Sequence, residues 1–292
     1  MSGEGLWLTK HHGLGNDFLV LFDDAEVQAM GLTLDAVRAL AVRLCDRRTG
    51  IGADGLLLGQ LVGGVALDGE IQHDRMVLFN ADGSRAEMSG NGIRCFAQAV
   101  ADERGIERGT LVVATDAGPR AVELWPTDDP GTVMASVSMG PVTTIAAPPT
   151  WAAVGCDPLR PVAHLSLGNP HSVVAVDDVH EVDLVALGTE VPDVNLEIVQ
   201  AGPTRDAVTM RVHERGAGIT QACGTGACAT AVAAARWGLV DAGLTEITVH
   251  MDGGSAKVRL DTPPGQVTLV GPATLIATIH VTIPADLFAD RR

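Results

Sequence analysis

Apolar side chains in this sequence recur mostly at every second position, the period of a half-buried strand. Such alternation predicts strands at Leu6–Thr9, Phe18–Phe22, Arg75–Phe79, Leu111–Ala114 and Val133–Ser138. It predicts further strands at Val162–Leu167, Ser172–Val176, Glu197–Gln200, Ala207–Val212, Glu246–His250, Ala256–Leu260 and Thr274–His280. Helical spacing is confined to Thr33–Asp46, Gly92–Ala101, Val182–Leu187 and Gly226–Trp237. Many strands and few helices, in no strict alternation, predict an α+β fold rather than a doubly wound sheet. A stretch holding Pro148, Pro149, Pro158 and Pro161 reads as a flexible surface connection.

Two local patterns occur twice in the same order. Leu14-Gly15-Asn16 precedes the strand at Phe18–Phe22, and Leu167-Gly168-Asn169 precedes the strand at Ser172–Val176. Ser89-Gly90-Asn91-Gly92 opens one small-residue helix and Cys223-Gly224-Thr225-Gly226 opens another. In that register Ala97 matches Ala231 and Ala101 matches Ala235. The economical reading is a duplicated unit whose halves face each other.

Length agrees, because 292 residues is about twice the ~150 residues typical of one domain. The composition, 46% hydrophobic and 19% charged, is that of a soluble globular protein. A net charge of −16 argues against nucleic acid or an anionic membrane as partner. No run approaches the ~18 apolar residues of a membrane-spanning helix. Met1 to Lys10 lack a basic-then-apolar leader. Five cysteines at irregular positions fit a reducing cytoplasm better than a disulfide framework.

Candidate chemistry sits at the repeated elbows. Ser89 and Cys223 occupy N-cap positions, and the Gly-x-Gly after each leaves backbone N–H groups unobstructed. A helix start carries partial positive charge and free donors, so a substrate carboxylate can be held there by backbone alone. A cysteine in that place is expected to have a lowered thiol pKa and to work as a base near neutral pH. Two such elbows suit removal of an α-proton from one face and its return on the other, with the helix ends stabilising the charge that develops. The reaction is racemisation or epimerisation. Pyridoxal phosphate, the usual electron sink, needs a lysine Schiff base. The only lysines are Lys10 and Lys257, both within strand patterns, and the expectation is no cofactor.

Simpler readings compete. Ser-Gly-x-Gly and Cys-Gly-x-Gly before helices also serve as plain caps and tight turns. Gly224-Thr225-Gly226-Ala227-Cys228-Ala229 fits a dinucleotide fingerprint but follows no clean apolar strand. Cys223 and Cys228 have no matching second pair, so no zinc site is expected. Glu214-Arg215 could bind the ammonium and carboxylate of a zwitterion, or form a solvated surface pair. Asn16, Asn80, Asn169 and Asn195 lie at predicted strand ends, where each alone reads as a turn residue. Their recurrence in both halves suggests a polar ring around a substrate.

Together these motifs resemble the diaminopimelate epimerase family. The resemblance rests on His12-Gly13-Leu14-Gly15-Asn16-Asp17-Phe18, Gly50-Ile51-Gly52-Ala53-Asp54-Gly55, Phe79-Asn80-Ala81-Asp82-Gly83-Ser84 and Gly90-Asn91-Gly92-Ile93-Arg94-Cys95. It continues through Gly168-Asn169-Pro170-His171, the run from Glu214-Arg215-Gly216-Ala217-Gly218 to Ala222-Cys223-Gly224-Thr225-Gly226, and Gly271-Pro272-Ala273. It implies two pseudo-symmetric domains, each a mixed or antiparallel sheet wrapped around a central helix, with substrate in the cleft between them. Their expected extents are 1–134, completed by 273–292, and 135–272. It implies cofactor-independent interconversion of LL- and meso-diaminopimelate, a step toward lysine and the bacterial cell wall, in the cytoplasm and as a homodimer. Substrate-contacting positions would be Asn16, Asn80, Gly90, Asn91, Asn169, Asn195, Glu214, Arg215, Gly224 and Thr225, with His171 and Glu214 tuning the catalytic pair.

One departure stands out. The family pattern uses two cysteines as acid and base, and Cys223 matches the second while Ser89 stands at the first. Cys95 belongs to the helix and is a poor substitute. A serine hydroxyl is a weak acid and a weak base unless activated. Gly55 also stands where some members carry a contacting side chain. Ser89 is compatible with an engineered substitution, with a natural variant of one-sided proton transfer, or with another reaction. The alternatives are therefore a related racemase or one-base eliminase acting on another amino acid, and a non-catalytic amino-acid-binding protein.

Overall fold

The computed structural model of the chain describes residues 5–61, 73–261 and 265–283. The chain divides into two units, Met1–Ala135 with Pro272–Arg292, and Ser136–Gly271. Of the domain extents expected from the sequence, residues 1–4, 62–72, 262–264 and 284–292 lie outside the described residues.

In the first unit, β1 (Gly5–Gly13) and β2 (Asn16–Phe22) form an antiparallel hairpin. Its turn places Leu14 and Gly15 at positive φ. Helices α1 (Ala25–Met30) and α2 (Leu34–Cys45) follow, and β3 (Gly55–Gln60) then adds parallel to β2. Strand β4 (Asp74–Asn80) returns antiparallel to β3 and pairs with the short β5 (Arg85–Ala86). Helix α3 (Gly90–Arg104) leads to β6 (Gly109–Thr115), which joins β4 in parallel. Strand β7 (Gly118–Pro126) pairs antiparallel with β6, and the chain continues through β8 (Thr132–Pro141).

The second unit repeats the scheme. Short β9 (Thr143–Thr144) pairs with β10 (Val162–Ser166), and β10 forms a hairpin with β11 (Pro170–Ala175). After α4 (Leu184–Glu190), β12 (Asn195–Ala201) adds parallel to β11, and β13 (Ala207–Glu214) returns antiparallel. Short β14 (Gly218–Ile219) precedes α5 (Gly224–Trp237), and β15 (Glu246–Met251) joins β13 in parallel. Strand β16 (Gly254–Asp261) pairs with β15, and the beginning of β17 (Gln266–Thr282) pairs with β16. The later part of β17, Thr274 to Thr282, pairs antiparallel with β1 in the first unit. Counted by strands the fold is α+β, as the alternation predicts.

Helices α3 and α5 form for the same local reasons. Each begins after an extended N-cap residue, Ser89 (φ −132°) or Cys223 (φ −122°), whose side chain accepts from an N–H in the first turn. Each ends at a left-handed glycine, Gly105 or Gly238, whose N–H closes the last turn. Small residues, chiefly Ala, recur along both helices, and both are buried along most of their length.

The alternation misses one strand, and one expectation fails, both for physical reasons. Strand β3, Gly-Leu-Leu-Leu-Gly-Gln, does not alternate because both of its faces are covered, and all but Gln60 are buried. The Pro-rich segment is not a bare surface connection. Trp151–Val154 form a 3₁₀ turn, and Trp151, Val154 and Cys156 pack on the core cluster around Leu196 and Ile198. Trp151 also meets the His164 ring edge-on at 4.6 Å.

Polar side chains buried along α3 anchor it. Arg94 is fully buried and donates to Gly90 O at 3.0 Å, Asn91 Oδ1 at 2.8 Å and Pro272 O at 3.2 Å. Gln98 Nε2 donates to Gly131 O at 2.7 Å, and its Oε1 lies 3.0 Å from His11 Nδ1. Burial drives the His11 ring down to about 4, with the hydrogen bond to Gln98 opposing and the charge of His12 adding. The folded protein thus holds this imidazole neutral.

Two outcomes follow. Arg94→Leu strands acceptors inside the protein and lowers the unfolding free energy by about 2–4 kcal/mol, read by urea denaturation. His11 takes its proton near 6.5 when unfolded and near 4 when folded. Its contribution is therefore complete above about pH 6.5 and is lost as pH falls toward 4. Between pH 7 and 4.5, His11→Asn should lose about 2–3 kcal/mol less stability than the native chain; equal losses would refute the assignment.

Candidate active site

In the first unit the candidate residues gather at the start of α3. Ser89 Oγ accepts from Gly92 N–H at 3.0 Å, and Gly90, Asn91 and Gly92 are all buried. A Cβ on Gly92 would stand 3.1 Å from the Ser89 Cβ and 3.4 Å from the Phe18 ring. Asn91 Nδ2 donates to Asn16 Oδ1 at 3.2 Å, and Asn16 Nδ2 donates to Asp54 Oδ2 at 2.6 Å. Asp54 in turn accepts from Arg47 and from the Asp17 N–H. Asp17 is held by Arg47 at 2.6 Å and by Lys10 at 3.0 Å. Burial opposes ionisation of Asp17, but those two cations outweigh it and keep the carboxyl below its usual range. This ionic cluster fixes Asn16. Asn80 is not drawn into it: its Nδ2 donates to Ser84 Oγ at 2.9 Å across the turn after β4. No acid or base among the described residues hydrogen-bonds Ser89.

In the second unit the start of α5 is built more elaborately. Cys223 is buried, and its Sγ accepts from Gly226 N–H at 3.4 Å and lies 3.5 Å from Thr225 Oγ1. Thr225 Oγ1 accepts from Asn169 Nδ2 at 3.2 Å, and Asn169 Oδ1 lies 3.1 Å from His171 Nε2. His171 Nδ1 meets Glu197 Oε1 at 2.6 Å, and both side chains are fully buried. Gly226 must lack a side chain, because a Cβ there would stand 2.7 Å from Glu197 Oε1. Gly224 lies buried in the first turn of the helix.

Glu214 and Asn195 complete this cluster from strand ends. Glu214 closes β13 and accepts from Thr220 Oγ1 at 2.5 Å. Asn195 opens β12, accepts from the Arg215 N–H at 2.9 Å and donates to Pro170 O at 3.3 Å. The Arg215 side chain is exposed.

The expected low thiol pKa is overturned. The Cys223 thiol is pushed well above its ordinary value, first by burial, then by the charges of Glu214 and Glu197. Hydrogen bonds from Thr225 and Gly226 pull the other way but do not prevail. The helix start favours a thiolate, yet here it sits in a dry site beside two carboxylates. Cys95 is fully buried and its thiol is pushed up to about 12, mainly by that burial.

Glu197 escapes the sequence reading, although a signal was present. It is an acidic residue between Leu196 and Ile198 in a strand buried along most of its length, where carboxylates are rare unless paired. Asp54 also goes unsuspected as the partner of Asn16. Both lysines are engaged, Lys10 with Asp17 and Lys257 with Glu246. Among the described residues no cluster of three or more His, Cys, Asp and Glu could hold a metal ion. A cavity of about 350 Å³ in the second unit, lined by Cys156, Arg160, Val174, Leu196 and Ile198 among others, includes none of the residues singled out for the site.

Comparison with known proteins identifies the family. The family model described as diaminopimelate epimerase matches residues 8–145 and 164–276. The diaminopimelate epimerase of Halorhodospira halophila is 37% identical over 97% of this chain and 98% of its own. That of Synechocystis sp. is 38% identical over 92% of this chain and 96% of its own. Among solved structures, a phenazine biosynthesis protein of the PhzF family from Bacillus anthracis superposes with a TM-score of 0.71. It covers 96% of this chain and 100% of its own, at 16% identity, so it shares the fold. The matches run through both elbows and nearly the whole length, and the chain belongs to the diaminopimelate epimerase family.

Proposed function

We propose that the protein interconverts LL- and meso-2,6-diaminopimelate by moving the α-proton without a cofactor, with Cys223 as one acid/base group and Ser89 in the position of the other. The observation that carries this reading is a thiol seated on a buried helix start within the field of Glu214 and Glu197. Pure binding gives no reason for a thiol there, whereas proton transfer does.

The chemistry follows from the parts. N–H groups at Gly224 and Thr225, and likewise at Gly90 and Asn91, suit a carboxylate, and they suit it better as an α-carbanion shifts charge onto it. Asn16, Asn80, Asn169 and Asn195 offer amide donors and acceptors. The exposed Arg215 guanidinium is a partner for the distal carboxylate of a diamino diacid. Glu214 suits an ammonium group. Glu214 is also one of the charges that raise the Cys223 thiol. A bound ammonium offsets that charge and lets the thiol ionise, so the substrate itself helps to arm the base. His171 and Glu214 are the tuning residues in this account. The product would enter lysine and peptidoglycan synthesis.

Ser89 makes the two halves unequal. His171 and Glu197 flank the Cys223 elbow, but the corresponding positions of β2 and β3 hold Phe18 and Leu57. A hydroxyl with no base hydrogen-bonded to it is a poor proton acceptor. This favours exchange that is faster at one face than at the other. A cytoplasmic location is supported by five free cysteines, and a homodimer by the family resemblance alone.

The test is proton NMR of LL- and meso-diaminopimelate with the reduced protein in deuterated water. Ser89→Cys should raise epimerisation about 10²–10⁴-fold, the usual worth of a positioned acid/base. Unchanged epimerisation after that substitution would count against the two-thiol account. Cys223→Ser should lower α-deuteration by a similar factor, and α-deuteration that persists would remove Cys223 from the mechanism. Release of ammonia with an unsaturated product would instead identify an eliminase.

A further inference from the structure

Following donors and acceptors outward from Cys223 leads to a residue with no assigned role. Asn169 gives an amide hydrogen to Thr225 Oγ1, which leaves the Thr225 hydroxyl hydrogen free for Cys223 Sγ. Asn169 Oδ1 then needs a donor, and the atom facing it is His171 Nε2. His171 must therefore carry hydrogen on Nε2. Its other nitrogen, Nδ1, faces Glu197 Oε1 at 2.6 Å. One further proton lies between Glu197 and Nδ1, on one atom or the other. Glu197 Oε2 is buried without a hydrogen-bond partner among the described residues, as suits a carboxyl that shares this proton.

We infer that Glu197 is a positioning residue: the proton it shares with His171 Nδ1 keeps the ring's other hydrogen on Nε2, so that every donor from His171 through Asn169 and Thr225 points toward Cys223 Sγ. The inference rests on the reading of Cys223 as an acid/base group. When the pair loses the proton, Glu197 is a carboxylate and the remaining ring hydrogen moves to Nδ1. Nε2 then needs a donor, the Asn169 amide turns over, and the Thr225 hydroxyl donates to Asn169 instead of sulfur. One proton thus decides whether Thr225 donates to a thiolate or can only accept from a thiol. Burial raises the Glu197 carboxyl, against the pull of His171 and with help from Glu214, and so favours the donating arrangement.

The surrounding charges are few. Glu214 on β13 is the other carboxylate acting on both Cys223 and Glu197. Of the remaining strands packed on α5, β10 presents His164, bonded to Ser172 at 2.9 Å. On β15, Glu246 pairs with Lys257 and Arg259 of β16, and His250 bonds Ser255.

Two measurements test this, and neither contains substrate, so each can fail while the substrate assignment stands. The first is the pH profile of iodoacetamide alkylation at Cys223, followed by mass spectrometry of its peptide, in the native protein and in Glu197→Gln. A glutamine amide donates permanently to Nδ1 and carries no charge. The two proteins should alkylate alike at the lower end of the profile and diverge as pH rises, Glu197→Gln becoming at least about tenfold faster, one pKa unit of thiolate. A ratio constant with pH would show a merely structural role and overturn the inference. The second reads the native protein itself: ¹⁵N shifts of the His171 ring at pH 7, assigned by loss of the signal in His171→Gln. Hydrogen on Nε2 is expected, and a neutral ring protonated only at Nδ1 would overturn the inference.

Discussion

Each central helix starts inside its unit, and a buried helix start is a set of hydrogen-bond donors that water cannot satisfy. Everything else at the site answers that constraint. The N-cap side chain takes one donor, Ser89 Oγ from Gly92 and Cys223 Sγ from Gly226. The remaining N–H groups of each first turn suit an anion. In the proposed function these same groups receive a carboxylate.

The two helix starts meet the constraint with different surroundings. Around Ser89 the neighbouring strand offers an aromatic ring, and the ionic cluster of Lys10, Asp17, Arg47 and Asp54 reaches the elbow through Asn16 and Asn91. Around Cys223 the neighbouring strands offer a buried imidazole and a buried carboxyl in direct contact. Burial of such groups is costly unless they share protons and hydrogen bonds, which the His171–Glu197 pair does. The first unit is thus built to hold a side chain still, and the second to hold a proton in a chosen place.

Rigidity has the same origin in both. Asn16 and Asn169 each sit just after a left-handed turn, at Gly15 and Gly168, and each is hydrogen-bonded to the second residue of the helix, Asn91 or Thr225. The strand and the helix are thereby tied at the elbow. Arg94 and Gln98 extend the tie in the first unit to Pro272 and Gly131. Asn16 and Asn169 are thus each aimed from a helix start.

Much of this was legible in the amino-acid order, because it depends on local rules. The strand period, the caps Ser89 and Cys223, the closing glycines and the repeated Leu-Gly-Asn turn are properties of a few adjacent residues. The motifs identified the family, and the structure draws Asn16 to Asn91 and Asn169 to Thr225 and Cys223. What the order could not show depends on residues distant along the chain. Glu197 is an unremarked acid until β11 and β12 lie side by side and bring it against His171. The direction of the Cys223 shift reversed because desolvation and the field of two carboxylates are properties of the packed site, while the helix start that suggested the opposite is local. The sequence by itself determined the elements, the elbows and the family; the tertiary structure alone decided which charges stand beside the thiol, since electrostatic energy in a dry interior is set by distances in space and not by spacing along the chain.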